Sequence, residues 1–344
     1  MHTHRYFAIL LIAAAAVGCG ASEPTAPVEE AAPAVEPVIG EIQRLDPRVG
    51  ALIPADARIE KLAEGFAFIE GPLWDRRGSR LLFSDVRGNE IYQWTEADGA
   101  STYIDPVFEG DRTGKRSISS NGLTFDAEGR LIICEHGNRR ISRLEADGTR
   151  SVLVEQFEGG QLNSPNDAVY ASDGSLYFTD PPYGLEGLED SPARELDFNG
   201  VYRLRPSGEL ELLVRDQTRP NGIALSPDET TLYVANSDEE NKVWMAYDID
   251  DSGASNARVF YDVNDQDAPG AADGMKVDLD GNLFATGPGG VWIFAPDGTH
   301  LGTISTGEVT ANVGWGDDGR TLYLTSSTSL YRIRLTTEGH LPGP

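Results

Sequence analysis

Five polar residues hold one phase in this chain. Glu70, Asn121, Asn166, Asn221 and Asp273 each lie eight residues before a turn residue: Gly78, Gly129, Gly174, Glu229 and Gly281. Two are carboxylates, three are carboxamides, and all offer oxygen acceptors. Brought to one point, the two carboxylates would repel each other, and burying them unpaired would be costly. A hard divalent cation resolves both problems, because Ca²⁺ and Mg²⁺ prefer carboxylate and amide oxygens. No cysteine or paired histidine accompanies the set, so Ca²⁺ or Mg²⁺ is expected, with Zn²⁺ or Mn²⁺ as the alternatives. One Asn-Gly pair, such as Asn121-Gly122, would be ordinary turn chemistry. Five residues in phase, with Glu70 where a turn has no use for Glu, read as a site.

The elements that must gather these residues are visible in the same repeat. Each turn is followed by a short apolar strand: 80–84, 130–134, 175–179, 231–235 and 282–286. A sixth copy, Asp317-Asp318-Gly319 with the strand 320–325, has Ala311 at the eight-back position and Asn312 one residue out of register. Further strands follow at 90–94, 140–144, 200–204, 242–246, 290–294 and 329–333. Turns spaced 38 to 55 residues apart, with several strands per unit, predict an all-β chain folded as a six-bladed β-propeller over 46–344. In that architecture the innermost strand of each blade lines a central channel. The constant offset then brings the five residues to one channel mouth. The stretch 57–63 reads as a strand able to complete the last blade and seal the ring without a free edge.

Four further residues sit in loops near these strands. His136 follows the second-repeat strand and is a candidate for the channel mouth. Asp167 is expected to support Asn166 from behind or to hold a second, structural ion, Asp180 to cap the Pro181-Pro182 turn, and Tyr183 to shape the pocket. Cys134 lies within an apolar strand and reads as a packed small residue.

The charge balance is 28 basic against 55 acidic residues, a net −27, which argues against nucleic-acid binding. Residues 1–18 read as a signal peptide: a short polar start, an apolar run from Tyr6 to Val17 too short to span a bilayer, and then Gly18-Cys19. The triplet before Cys19 resembles a bacterial lipobox, so Cys19 is the expected lipidation site. Residues 19–45, rich in Ala, Pro and Glu, read as a tether. The expected location is the bacterial cell envelope, periplasmic and lipid-anchored, with Gly20 after the cysteine favouring the outer membrane. The lipid anchor is the one membrane contact expected.

Glu70-Gly-Pro-Leu-Trp74, Ser120-Asn-Gly122, Ser164-Pro-Asn-Asp167, Arg219-Pro-Asn-Gly222 and Asp273-Gly-Met275 resemble the successive motifs of the gluconolactonase/regucalcin (senescence marker protein) family. Cys134-Glu-His-Gly-Asn-Arg-Arg140 and Phe178-Thr-Asp-Pro-Pro-Tyr-Gly184 are similar to segments of its bacterial gluconolactonase-like branch. The resemblance implies a six-bladed propeller with one catalytic divalent cation in the channel, and a metal-dependent lactonase acting on a small-molecule lactone. It assigns the metal ligands to Glu70, Asn166, Asn221 and Asp273, and the general base to Asp273, with His136 as the alternative base. Asn121 and His136 become the substrate-binding candidates. Regucalcin-like members carry an Arg two residues before the first metal Asn; here that residue is Ser164, which leaves sugar and aliphatic lactones both open. Two other readings stay beside this one: a phosphotriester hydrolase of the diisopropylfluorophosphatase type, and a non-catalytic ligand-binding propeller.

Overall fold

Why six short sheets close into a ring follows from the strand pattern. The second strand of each unit is buried along its length, as in Leu81-Leu-Phe83, Leu131-Ile-Ile-Cys134 and Leu283-Phe-Ala285. A strand buried on both faces needs packing partners on both sides, and neighbouring blades supply them. The computed structural model describes residues 39–344. The expected leader and Cys19 lie outside the described residues. Within them, six antiparallel sheets of four or five strands follow one another along the chain, with a small two-stranded hairpin, Gln156–Phe157 with Gly160–Gln161, beside them. Their innermost strands are Ile69–Asp75, Ser120–Phe125, Ala168–Tyr170, Pro220–Leu225, Met275–Val277 and Thr310–Gly316. Each touches the innermost strand of the next blade, and the last touches the first. The expected six-bladed propeller is the fold.

The ring is sealed from both ends of the chain. Ile59–Glu64 pairs antiparallel with Ser329–Arg334, so the last blade takes its outer strand from the N-terminal side, as the 57–63 stretch suggested. Trp74 of the first blade then stacks on Tyr323 of the last at 5.6 Å between ring centroids. One element departs from the composition reading. Glu41–Arg44 pairs with His300–Ser305 and gives the fifth blade a fifth strand, so propeller structure reaches into the stretch read as tether. Its four residues are mostly exposed, with only Ile42 packed against the core. Backbone pairing to an existing edge holds it, which composition does not register.

The innermost strands run from the mouth bearing Glu70 and its counterparts towards the opposite mouth. That half of the channel is apolar, lined by residues such as Leu73, Leu123, Val169, Ile223 and Val277 around a cavity of about 180 Å³. The C-terminal segment lies across it: Leu279 N–H donates to Glu338 O at 2.8 Å, Thr337 Oγ1 donates to Asp278 Oδ2 at 2.6 Å, and His340 and Pro342 line the cavity.

Candidate functional site

Backbone irregularity at the first mouth aims the site residues. Four innermost strands break their pairing register where the polar residues stand: between Glu70 and Leu73, Ser120 and Leu123, Pro220 and Ile223, and Thr310 and Asn312. A β-bulge leaves a residue unpaired and turns its side chain, which is why bulges gather at functional sites. The other two blades reach a similar result with shorter inner strands. Asn166 N–H donates to Thr179 O at 2.8 Å and Thr179 N–H to Asp167 O at 3.1 Å; Asp273 N–H donates to Thr286 O at 3.0 Å and Thr286 N–H to Gly274 O at 2.9 Å.

Glycines set how closely the blades approach. Gly71, next to Glu70, has φ of +57°, and a Cβ there would lie 2.2 Å from Asn121 O. A Cβ on Gly274, next to Asp273, would lie 2.0 Å from Asn312 Cγ. Any side chain at these places would push the ring apart. Hydroxyls then tie the first, third and fifth blades each to the next. Ser84 Oγ donates to Asn121 O at 2.7 Å, Thr179 Oγ1 to Asn221 O at 2.6 Å, and Thr286 Oγ1 to Ala311 O at 2.9 Å. These hydroxyls close the second strands singled out in the sequence. They hold the backbone of the neighbouring site residue rather than facing the channel.

Glu70, Asn121, Asn166, Asn221 and Asp273 thus come to one mouth, as their phase predicted. Asp273 is partly exposed there and the other four are buried. The site has members the repeat did not reveal. Asn312 is 2 % exposed and lies close enough to Glu70 to favour its charged form. Its one-residue offset in sequence is the Thr310/Asn312 bulge, the signal by which it could have been found. Asp167 belongs to the charge set itself: it is 2 % exposed and acts electrostatically on both Glu70 and Asp273. Its Oδ1 accepts from Ala168 N–H at 2.9 Å.

The electrostatics are those of a crowded acceptor set. Burial, then the nearby Asp167 carboxylate, push the Glu70 carboxyl up to about 8, against the pull of Asn312, the Gly71 N–H and Lys276. Burial, then Glu70 and Asp167, push Asp273 well above the usual carboxylate range. Asp273 Oδ1, Asp167 Oδ2 and Asn121 Oδ1 are buried with no hydrogen-bond partner among the described residues. Unpaired buried oxygens carry a large desolvation cost unless a ligand satisfies them. Among the described residues no group of three or more His, Cys, Asp and Glu side chains forms an ion site by itself. The acceptors here are mixed carboxylate and carboxamide oxygens, a donor chemistry that fits a hard cation such as Ca²⁺ or Mg²⁺.

The loops around the mouth sort the remaining candidates. His136 is buried, with Nδ1 3.1 Å from Ser117 Oγ and Nε2 lacking a partner. Burial and the Arg116 charge hold its pKa down to about 3, so it is a neutral imidazole and a weak base. Ser164 faces inward: its Oγ donates to Pro181 O at 2.5 Å and accepts from Gly184 N–H at 2.8 Å. Asp180 caps the loop before the strand, accepting from the N–H groups of Asn163 and Ser164 at 2.7 Å each, rather than the Pro-Pro turn. Tyr183 hydrogen-bonds Ser237, whose Oγ accepts from Asn221 Nδ2 at 3.2 Å. That contact engages the Asn221 amide nitrogen. Cys134 packs in the core, as expected.

Known proteins resemble this chain over most of its length. The family model described as the SMP-30/gluconolactonase/LRE-like region matches residues 68–328. A gluconolactonase of Zymomonas mobilis is 39% identical over 312 residues, 88% of each chain. The solved structure of a gluconolactonase from Xanthomonas campestris is 32% identical, covers 87% of this chain and 97% of its own, and superposes with a TM-score of 0.76. A calcium-binding regucalcin from Agrobacterium tumefaciens, 19% identical with a TM-score of 0.64 over 82% of this chain and 95% of its own, shares the fold. With the propeller, the phased acceptor ring and these likenesses together, the chain belongs to the SMP-30/gluconolactonase/LRE-like family.

Proposed function

We propose that this protein hydrolyses a lactone with one divalent cation held by Glu70, Asn166, Asn221 and Asp273. The observation that carries this reading is the set of buried oxygen acceptors at one channel mouth, three of them carboxylates, with orphaned oxygens on Asp167, Asp273 and Asn121. Relatives named for lactones support the substrate class, among them the Zymomonas gluconolactonase and a pentonolactonase of Haloferax volcanii. When bound, the cation would offset the carboxylate charge and polarise the lactone carbonyl.

The residues of the chain supply the rest. Asp273 Oδ1 accepts a proton from the attacking water as the water oxygen adds to the carbonyl carbon. Asp273 returns that proton to the ring oxygen as the carbon–oxygen bond breaks, which gives a hydroxy acid with atoms and charge in balance. Asn221 is held through its amide nitrogen by Ser237, which Tyr183 hydrogen-bonds in turn. Asn121 Oδ1 and His136 Nε2 lack partners, so each is free to bond substrate hydroxyl or ring oxygen atoms, His136 as donor or acceptor by tautomer. Ser164 carries no charge where regucalcin-like members have an Arg, and its hydroxyl is engaged by Pro181 O and Gly184 N–H.

The test loads chelated protein with Ca²⁺, Mg²⁺, Mn²⁺ or Zn²⁺ and offers gluconolactone, aliphatic lactones and a phosphotriester. Cation-dependent ring opening of a lactone is the expected result. Turnover of the phosphotriester alone, or lactone turnover that survives complete chelation, would overturn the reading. A diacylated Cys19 at the mature N-terminus is a separate proposal, carried by the Gly18-Cys19 motif and tested by mass spectrometry of the membrane-extracted protein.

A further inference from the structure

One cation of the chain stands beside the acceptor ring. Lys276 stands on the innermost strand of the fifth blade, three residues after Asp273. Its Nζ donates to Met275 O at 2.9 Å and lies 3.7 Å from Asp167 Oδ2, the oxygen that has no hydrogen-bond partner. The Lys276 side chain is 25% exposed and that of Asp167 is 2% exposed. Its stem lines the apolar channel cavity beneath the ring. Among the described residues no other basic side chain forms an ion pair with Glu70, Asp167 or Asp273. An ammonium on a channel wall loses hydration, and the Met275 carbonyl and the Asp167 carboxylate offset that loss.

We propose that Lys276 is a built-in counter-ion that sets the charge of the ring to match one divalent cation. With a cation bound and all three carboxyls ionised, three carboxylates against the one ammonium beside Asp167 would leave two negative charges. That balance suits a single divalent ion and disfavours a trivalent ion or a second divalent one. The role is distinct from ligation: Lys276 has no lone pair to offer while charged, and it acts through Asp167 on the cation the ring selects. This inference rests on the proposed cation site.

The experiment measures, by calorimetry on chelated full-length protein, the affinities for Ca²⁺ and Tb³⁺. Lys276→Met keeps the length of the stem and removes the charge. The Tb³⁺/Ca²⁺ affinity ratio is expected to rise about tenfold or more, the size of one unit charge acting on one further unit of cation charge across a few ångströms of protein. Lys276→Arg, which keeps the charge, should leave the ratio within about twofold of the wild type. Asp167→Asn combined with Lys276→Met restores two negative charges and should bring the ratio back towards the wild-type value, a response that lost packing alone would not give. If Lys276→Met does not fold by circular dichroism, Lys276→Gln makes the same charge change and is read instead. An unchanged ratio in a folded, cation-binding charge-removal variant overturns the inference and leaves the cation site standing. Wild-type protein that binds neither ion overturns both.

Discussion

The two ends of the central channel are built from the same six strands and behave as opposites. At one end four of the six strands start in bulges, and the side chains there are acceptors packed together with too few donors. At the other end they pair regularly, present Leu123, Val169, Ile223 and Val277, and meet the C-terminal segment. The apolar end supplies packing that holds the polar end in an arrangement it would not choose alone. Glu70 and Asp273 destabilise the ring as charges, and burial between well-packed blades keeps them there.

The sharpest way to separate the two ends is to change charge at the first without changing shape. Asp273→Asn keeps an oxygen at the site and removes the base. Turnover of a good lactone should fall by roughly 10²-fold or more, while calorimetry still detects cation binding, weakened. Near-normal kcat in that variant would remove Asp273 from the chemistry.

The next effect is on stability against pH. The Glu70 and Asp273 carboxyls titrate higher in the folded protein than in the unfolded chain, so they favour folding while protonated. Their stabilising contribution is complete below the unfolded carboxylate pKa of about 4.3. It is lost as pH rises through the folded values, by about 1.4 kcal/mol per pH unit for each extra proton the native state holds. Chelated protein should therefore lose thermal stability, relative to cation-loaded protein, between about pH 5 and pH 8. The gain in melting temperature on adding cation should be larger at pH 8 than at pH 5; an equal gain at both would show that these carboxyls are not the binding charge.

A change at the apolar end should do the reverse. Ile223 is 1% exposed, and Ile223→Val removes one buried methyl group. Denaturant unfolding should show a loss of about 0.5–1.5 kcal/mol. With folded protein, kcat and cation affinity should stay as in the wild type, since the packing tolerates a missing methyl before the ring moves. The smallest effect belongs to His136. Burial and the Arg116 charge hold the His136 imidazole down to about 3, which favours Asp273 over His136 as the titrating base. His136→Gln should change KM more than kcat, and should leave the pH profile of kcat in place between pH 5 and 9. Loss of an arm of that profile in the variant would return His136 to the role of base.

Much of this molecule is local, and so is readable along the chain. Turn residues, alternating strands and a fixed offset are properties of a few consecutive residues, and a repeat multiplies the signal. That is why the six blades, the closing strand near Ile59 and the phase of Glu70, Asn121, Asn166, Asn221 and Asp273 could be read before any coordinates. Glu41–Arg44 escaped because an edge strand held by backbone pairing carries little compositional mark. Asn312 escaped because a bulge shifts phase by one residue, and only the paired strand Thr321–Ser326 shows which residue is extra. Tertiary structure alone decided that Ser164 turns inward, that Asp167 stands with the carboxylates, and that Lys276 faces it. Each depends on which residues from distant blades share one dielectric environment, and charges that meet only across the ring leave no spacing in the sequence to find them by.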